Sequence, residues 1–371
     1  MSRQPFTFYE FFAGGGMARL GLGERWRCLF ANDFDPVKAR AYRDNFGDDH
    51  FREGDVFDLI AADLPGRADL AWASSPCQDF SLAGARAGLA GGRSSAFFGF
   101  WRLVQALNAE GRAPRVIVVE NVVGLLTSHG GRDFEALCRA LAGAGYGFGA
   151  LEADAADFLP QSRPRVLIIA ARETPPAGRP AEDESRAVRN ARERLPADLR
   201  ARWVGWSAPR PPRPNVDLAG LLEPDEAVDW RTPAQTRHLL GLMDDAHRGK
   251  LELAASRAER TVGAYFRRTR GSGQRAEVRF DGMAGCLRTP RGGSSRQGLI
   301  VAQDGQVRSR LITPREAARL MGLPETYGLP AGTTAALHLV GDGVAVPLVR
   351  HLAEHILEPL LKRPTTAIAA E

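Results

Sequence analysis

The stretch Phe6-Thr7-Phe8-Tyr9-Glu10-Phe11-Phe12-Ala13-Gly14-Gly15-Gly16-Met17 decides the reading of the chain. A short apolar run predicts a strand over Phe6–Phe12, and the three glycines after it predict a tight strand-to-helix turn. Such a turn lets backbone approach a ligand closely, and the helix N-terminus favours polar or anionic groups. It is a poor dinucleotide fingerprint, because the third glycine of G-x-G-x-x-G would be Arg19.

Working outward, further strands are predicted at Trp26–Ala31, Leu70–Ala73, Val116–Glu120 and Val166–Ala171, with helical patterns at Pro36–Asn45, Phe97–Ala109 and Asp133–Ala144. Strand and helix alternating at this spacing imply an α/β fold, a doubly wound, mostly parallel sheet with helices on both faces. Ligands then bind beyond the carboxyl ends of the strands. After Arg172 the composition changes, and Thr174–Pro214, rich in Pro, Arg and Ala, reads as a linker or the entry to a second, smaller and irregular domain. Ala336–Leu361 is apolar and helical again, as a return to the first domain would be. The expected organisation is 1–175, 176–330 and 331–371.

The 371 residues are 44% hydrophobic and 25% charged, which excludes wholesale disorder and collagen-like repeats. No apolar run approaches the roughly 20 residues of a membrane span. Four cysteines, Cys28, Cys77, Cys138 and Cys286, form no Cys-x-x-Cys pair; this argues against a metal site and for a reducing, cytoplasmic setting. The net charge of +5 is unevenly spread: residues 161–325 carry 30 basic and 20 acidic side chains, whereas the remainder is net acidic. A basic section suits a polyanion and leaves a different task to the acidic one.

Acidic residues recur after the predicted strands. Asn32-Asp33-Phe34-Asp35 follows the second, where an acid can accept both ribose hydroxyls, and Gly54-Asp55-Val56 follows the next, a position suited to an exocyclic amine. Singly, each matches a solvated loop carboxylate; together they outline an adenosine-shaped pocket. Ser75-Pro76-Cys77-Gln78 then puts a thiol at the mouth of the sheet, and the Gly/Ala/Arg-rich stretch Ser81–Ser95 has the composition of a lid. Val116–Val119 runs into Glu120-Asn121-Val122, and a carboxylate at the end of a buried strand can hold a proton.

These residues carry a resemblance. Phe-Ala-Gly-x-Gly, Pro-Cys-Gln, Glu-Asn-Val, Gln161-x-Arg163-x-Arg165, and the block Arg310, Thr313, Arg315, Glu316, Arg319, Leu320 follow one another in the order typical of cytosine carbon-5 DNA methyltransferases of bacterial restriction–modification systems. The likeness covers the whole chain except residues 175–285. Met17 stands where the family usually has glycine, and Asp342 where it usually has asparagine.

The resemblance implies a methyltransferase fold with a target-recognition domain, S-adenosylmethionine as cofactor, no metal, and double-stranded DNA as partner. It also implies a monomer, with a companion endonuclease outside any stable complex. Cys77 would be the nucleophile, Glu120 the proton donor, Arg165 and Arg163 the holders of the nucleotide, and Asn121 and Pro76 the loop-setters. Phe12, Ala13, Gly14, Gly16, Asp33, Phe34, Asp55, Val56, Asp342 and Val344 would line the cofactor site. Arg267, Arg268, Arg270, Arg288, Thr289, Arg291 and Arg296 would contact DNA. Two rivals remain: a transfer-RNA methyltransferase with the same chemistry, disfavoured by the long variable segment, and a silent DNA-binding regulator, disfavoured by intact Cys77 and Glu120.

Overall fold

The computed structural model describes residues 4–75, 96–172, 180–212, 216–270, 273–287 and 296–362. The chain divides into two compact units, Met1–Ala153 with Pro164–Arg210 and Leu348–Glu371, and Asp154–Arg163 with Pro211–Pro347.

The first unit is built on seven strands: β1 (Phe6–Phe11), β2 (Trp26–Asp33), β3 (Phe51–Glu53), β4 (Leu70–Ala73), β5 (Val116–Asn121), β6 (Gly147–Asp154) and β7 (Pro164–Ala171). Their spatial order is β3-β2-β1-β4-β5-β7-β6. Strands β1 to β5 pair in parallel, and β7 joins β5 antiparallel. All of β4 and β5 is buried, the continuous apolar pattern of strands covered on both faces. Four helices alternate with them: α1 (Met17–Leu22), α2 (Pro36–Phe46), α3 (Ala96–Ala109) and α4 (Arg132–Gly143). Helix α2 starts where the Asp35 carboxylate accepts the amides of Val37 and Lys38, with Pro36 in the first turn, where its missing N–H costs nothing.

Two features of this unit depart from the sequence reading. Strand β6 was not expected, because Gly147-Phe148-Gly149-Ala150 has weak strand propensity. The sheet imposes it, since a Cβ on Gly149 would lie 1.9 Å from the Val204 carbonyl. The supposed linker instead carries α5 (Arg186–Arg194) and α6 (Ala197–Arg200), whose Val188, Ala191 and Leu199 join Leu195 and Trp203 in the main core. Its arginines form the solvent face of an amphipathic helix and conceal that apolar stripe.

The second unit is more regular than its composition suggests. Strands β8 (Thr261–Arg270), β9 (Gly273–Arg279), β10 (Gly298–Gln303) and β11 (Gln306–Leu311) form an antiparallel sheet in the order β11-β10-β8-β9. Helices α7 (Pro233–Gly241) and α8 (Asp245–Ala255) cover one face, and they and the turn between them pack Leu239, Leu251 and Met243 on Tyr265, Val278 and Ile300. The edge strand β9 mixes exposed and buried residues, whereas Gly298–Ala302 of the inner strand β10 is an unbroken buried apolar run. Helices α9 (Pro314–Arg319) and α10 (Thr333–Asp342) complete it. Arg310 and Glu316 form a fully buried two-pronged ion pair at 2.6 and 2.7 Å, and the same carboxylate accepts the amides of Thr313 and Glu223. Every lone pair is thus occupied, the condition under which a buried pair is tolerated. No helix among the described residues is long and apolar enough to cross a membrane.

The last turn of β1 buries Glu10. Its Oε1 accepts the Arg19 amide at 3.3 Å while Oε2 has no hydrogen-bond partner among the described residues, and burial raises its pKa to about 8 against an ordinary 4.5. Arg19, Asp33 and Tyr42 act on it, and His50, whose own pKa burial lowers, is hydrogen-bonded to Tyr42 at 3.3 Å. The folded chain therefore keeps a proton that the unfolded chain has released, so the contribution of Glu10 to stability is fully present below about pH 4.5 and is lost as pH rises through about 8. Glu10→Gln should remove about 2–4 kcal/mol of that decline, at about 1.4 kcal/mol per pH unit. Urea unfolding from pH 5 to 9 reads it, and an unchanged slope would refute the assignment.

Candidate active site

The carboxyl ends of β1, β2 and β3 meet through three groups. Asn32 donates its side-chain amide to the Arg52 and Gly54 carbonyls at 2.9 and 3.0 Å, while its own carbonyl accepts from Ala13. The Asp33 carboxylate accepts the Gly14 amide at 2.7 Å and the Asp35 amide at 2.9 Å, so the acid at the end of β2 shapes the glycine loop after β1. Burial pushes the Asp33 pKa up. Beside it Phe34 stands 68% exposed, an aromatic face left open next to a buried acid. Asp55 accepts the Phe57 amide at 3.0 Å and so starts a short 3-10 turn.

The glycines of the loop have different tasks. Phe12, Gly14 and Gly16 all take positive φ, at 56°, 55° and 73°. A Cβ on Gly14 would meet nothing within 4 Å, whereas one on Gly16 would lie 2.4 Å from the Phe46 ring and 2.9 Å from the Tyr42 ring. Gly14 thus leaves open space where a ligand can approach, and Gly16 lets the loop rest on α2. Val56 is a core residue, packed where a Cβ on Gly99 of α3 would strike it at 2.6 Å. Its side chain packs in the interior, next to the expected cofactor lining at Asp55. Asp342 and Val344 fall in the second unit, Asp342 exposed and Val344 buried.

At the end of β5, Glu120 is 7% exposed and pairs with Arg165 of β7, whose Nε lies 3.1 Å from its Oε1. The antiparallel register, with Asn121 opposite Val166, brings the two side chains together. Asn121 donates to the Ser75 carbonyl at 3.0 Å and accepts the Val122 amide at 2.9 Å, tying β5 to the residue that precedes Pro76. Pro76, Cys77 and the expected lid Ser81–Ser95 lie outside the described residues.

Arg163 is two residues from Arg165 in sequence, yet it belongs to the second unit and is 1% exposed. Its guanidinium donates to the carbonyls of Leu287, Gly341 and Gly343 at 2.6–2.9 Å, and its own amide donates to Asp154. Gln161 is equally buried, donating to the Leu320 carbonyl and accepting the Leu287 amide. Both residues hold the 154–163 segment inside its unit. These contacts set where the Arg163 guanidinium, expected to help hold the nucleotide, stands in its unit. Among the expected DNA contacts, Arg267 and Arg268 lie on β8 and Arg296 donates to Thr334 at 2.6 Å. Arg288, Thr289 and Arg291 lie outside the described residues, as does the Arg270 side chain.

A sheet with one antiparallel strand next to its edge and its polar residues gathered at the strand ends defines a methyltransferase-like α/β class. Over residues 6–358 the chain matches the family described as C-5 cytosine-specific DNA methylase, and it belongs to that family. Among its relatives, type II methyltransferase M1.ScrFI of Lactococcus lactis subsp. cremoris is 28% identical, covering 96% of this chain and 79% of that one. Type II methyltransferase M.HhaI of Haemophilus parahaemolyticus is 27% identical, covering 96% of each. Among solved structures, a DNMT2 mutant from Spodoptera frugiperda superposes with a TM-score of 0.63 at 16% identity, covering 96% of this chain and all of that one. A putative DNA modification methyltransferase encoded within an E. coli prophage gives 0.59 at 18%, again covering 96% and all; both likenesses bear on the fold. The protein is therefore a DNA (cytosine-5-)-methyltransferase, of the kind found in restriction–modification systems.

Replacing each loop glycine separates their tasks. Gly16→Ala should destabilise the protein well beyond the roughly 1–2 kcal/mol that positive φ costs an L-residue, whereas Gly14→Ala should stay near that figure and weaken cofactor binding. Thermal unfolding with a cofactor titration distinguishes them. Arg163→Met should cost about 3 kcal/mol or more through stranded buried carbonyls, read in the same unfolding experiment.

Proposed function

We propose that the chain transfers the methyl group of S-adenosylmethionine to carbon 5 of a cytosine flipped out of duplex DNA, with Cys77 as nucleophile. The observation that carries this reading is the pair of ties at the end of β5. Glu120 faces Arg165 at 3.1 Å, and Asn121 is bonded to Ser75, two residues before Cys77. One strand end thereby supports an acid, a cation and the approach to a thiol.

Carbon 5 of cytosine is a poor nucleophile. Addition of the Cys77 thiolate to carbon 6 leaves carbon 5 electron-rich and able to take the methyl group. Glu120 protonates ring nitrogen 3 as negative charge develops there, and Arg165, fixed against Glu120, faces the ring oxygen. Loss of the carbon-5 proton and departure of Cys77 then restore the ring. The target carbon is unreachable inside a duplex, so the base must leave the stack.

The residues at the ends of β1, β2 and β3 fit the cofactor. The open space at Gly14 suits its methionine end, Asp33 its ribose, exposed Phe34 its adenine face and Asp55 its amino group. S-adenosylmethionine supplies an electrophilic methyl group, and Phe12, Ala13 and Gly16 support the loop that holds it. Val344 and Asp342 are proposed to complete the site. The second unit supplies DNA recognition, the protein acts as a monomer, and a separate endonuclease accompanies it, as the type II names of its relatives suggest.

Cys77→Ser should abolish methyl transfer to duplex DNA while cofactor binding and Tm stay close to the parent. Glu120→Gln should lower the rate by about 10²–10⁴, the usual worth of positioned acid catalysis, with DNA affinity retained. Methyl incorporation and a binding assay on both variants check this. Near-normal turnover without the Cys77 thiol would refute the mechanism.

A further inference from the structure

Arg19 stands where a dinucleotide-binding turn has its third glycine, the residue that lets helix and strand pack closely. Here the position belongs to a largely buried polar cluster centred on Glu10, which lies two residues before Phe12 with its positive φ. Glu10 Oε1 accepts the Arg19 amide from α1, so one side chain joins the strand before the glycine loop to the helix after it. From β2, Asp33 holds the middle of the same loop by accepting the Gly14 amide at 2.7 Å. One acid closes the base of the loop and another fixes its centre.

The Arg19 guanidinium is turned to α2. Its Nη1 donates to the Tyr42 hydroxyl at 3.1 Å and to the His50 ring nitrogen, and the group lies 4.6 Å from the centre of the Phe46 ring. Tyr42 and Phe46 are the rings on which Gly16 rests, so guanidinium and loop share one floor. Glu10 Oε2 has no hydrogen-bond partner among the described residues. Were that carboxyl ionised, it would offer the guanidinium a charge-assisted bond that a protonated one does not.

The groups around Glu10 are Arg19 from α1, Cys28 and Asp33 from β2, Tyr42 from α2, and His50 from the segment before β3. Its register partners on the neighbouring strands, Ala31 and Trp72, carry no charge. Burial pushes the Cys28 thiol up to about 12 and the Tyr42 hydroxyl up as well, and it pushes His50 down. All three are thereby moved away from the range in which Glu10 titrates.

We propose that Glu10 is a positioning residue for the cofactor loop and acts as a neutral acid. Protonated, it leaves Arg19 on the Tyr42 and Phe46 rings and the loop in its cofactor-binding shape; ionised, it draws the guanidinium off that floor. The inference rests on the reading of this loop as the S-adenosylmethionine site and adds control of that site by a proton.

The test is calorimetric titration of the full-length protein with S-adenosylmethionine from pH 6.5 to 9, in two buffers of different ionisation enthalpy. The amino group of the cofactor titrates in the same range, at about 7.7–8.0, so Glu10→Gln, neutral at every pH, isolates the protein's share. Between pH 7 and 9 the parent should lose about tenfold more affinity than Glu10→Gln, the effect of a group titrating near 8. At pH 9 the parent should also take up more protons on binding than the variant does. Glu10→Gln can still accept the Arg19 amide and should keep the parent's affinity at pH 7. Arg19→Met keeps that amide but has no guanidinium to draw away, so its pH dependence should match that of Glu10→Gln. The same pH dependence in parent and Glu10→Gln, or a folded Glu10→Gln that loses affinity at pH 7, overturns the positioning role while leaving the cofactor reading intact. A parent that binds no S-adenosylmethionine at any pH overturns that reading, and the inference with it.

Discussion

A sheet buried on both faces has no room for ionisable groups along its strands, and the chemistry of this protein follows from that constraint. Strands β4 and β5 are closed to solvent throughout, so polar side chains gather at the carboxyl ends. Glu10, Asn32, Asp33, Glu120 and Asn121 all occupy the last residues of β1, β2 or β5, and all are buried. Each must find partners there, because an unpaired buried polar group costs about 1–3 kcal/mol. Asp33 finds the loop amides, Asn121 finds Ser75, and Glu120 finds Arg165. The contacts that satisfy these groups are the ones that shape the loops around them.

The reversal of β7 matters for the same reason. An antiparallel neighbour brings residues near its beginning beside the end of β5, so Arg165 can reach Glu120 from the adjacent strand. Glu10 is the exception, with one oxygen satisfied and one orphaned. Its proton compensates in part, as an uncharged carboxyl is cheaper to bury than a carboxylate. Strain also gathers here: Phe12 holds a left-handed conformation at the step from strand to glycine loop, a site where such a cost persists only if the surroundings over-determine it.

In the second unit buried arginines do the work that a larger apolar core would do elsewhere. Arg163 gathers three carbonyls from two separate segments, and Arg310 locks Glu316 beneath the start of α9. A guanidinium has five donors in a fixed fork and cannot lose its charge, which suits it to holding irregular backbone that secondary structure leaves unpaired. Arginines on β8 and β9 meet the opposite condition, standing near solvent, where Arg279 pairs with Asp281 and Arg268 with Glu277. Burial and partners divide the two groups; residue type does not.

Much of this was legible in the chain itself. The strand–glycine–helix opening, the spacing of apolar runs, and the acids after β2, β3 and β5 determine the sheet and the ends that carry chemistry, because period and turn chemistry are local properties. The ordered motifs determine the family. Tertiary structure alone decided the rest. The contrast between Gly14 and Gly16 depends on the aromatic rings of α2, and β6 depends on a neighbour that tolerates no side chain at Gly149. Arg163 and Arg165 look equivalent in sequence, yet one is consumed by carbonyls up to 180 residues away and the other meets Glu120 across a strand pair. Partners distant along the chain leave no periodic trace, so a side chain's residue type is written in the sequence while its role is set by what packing brings beside it.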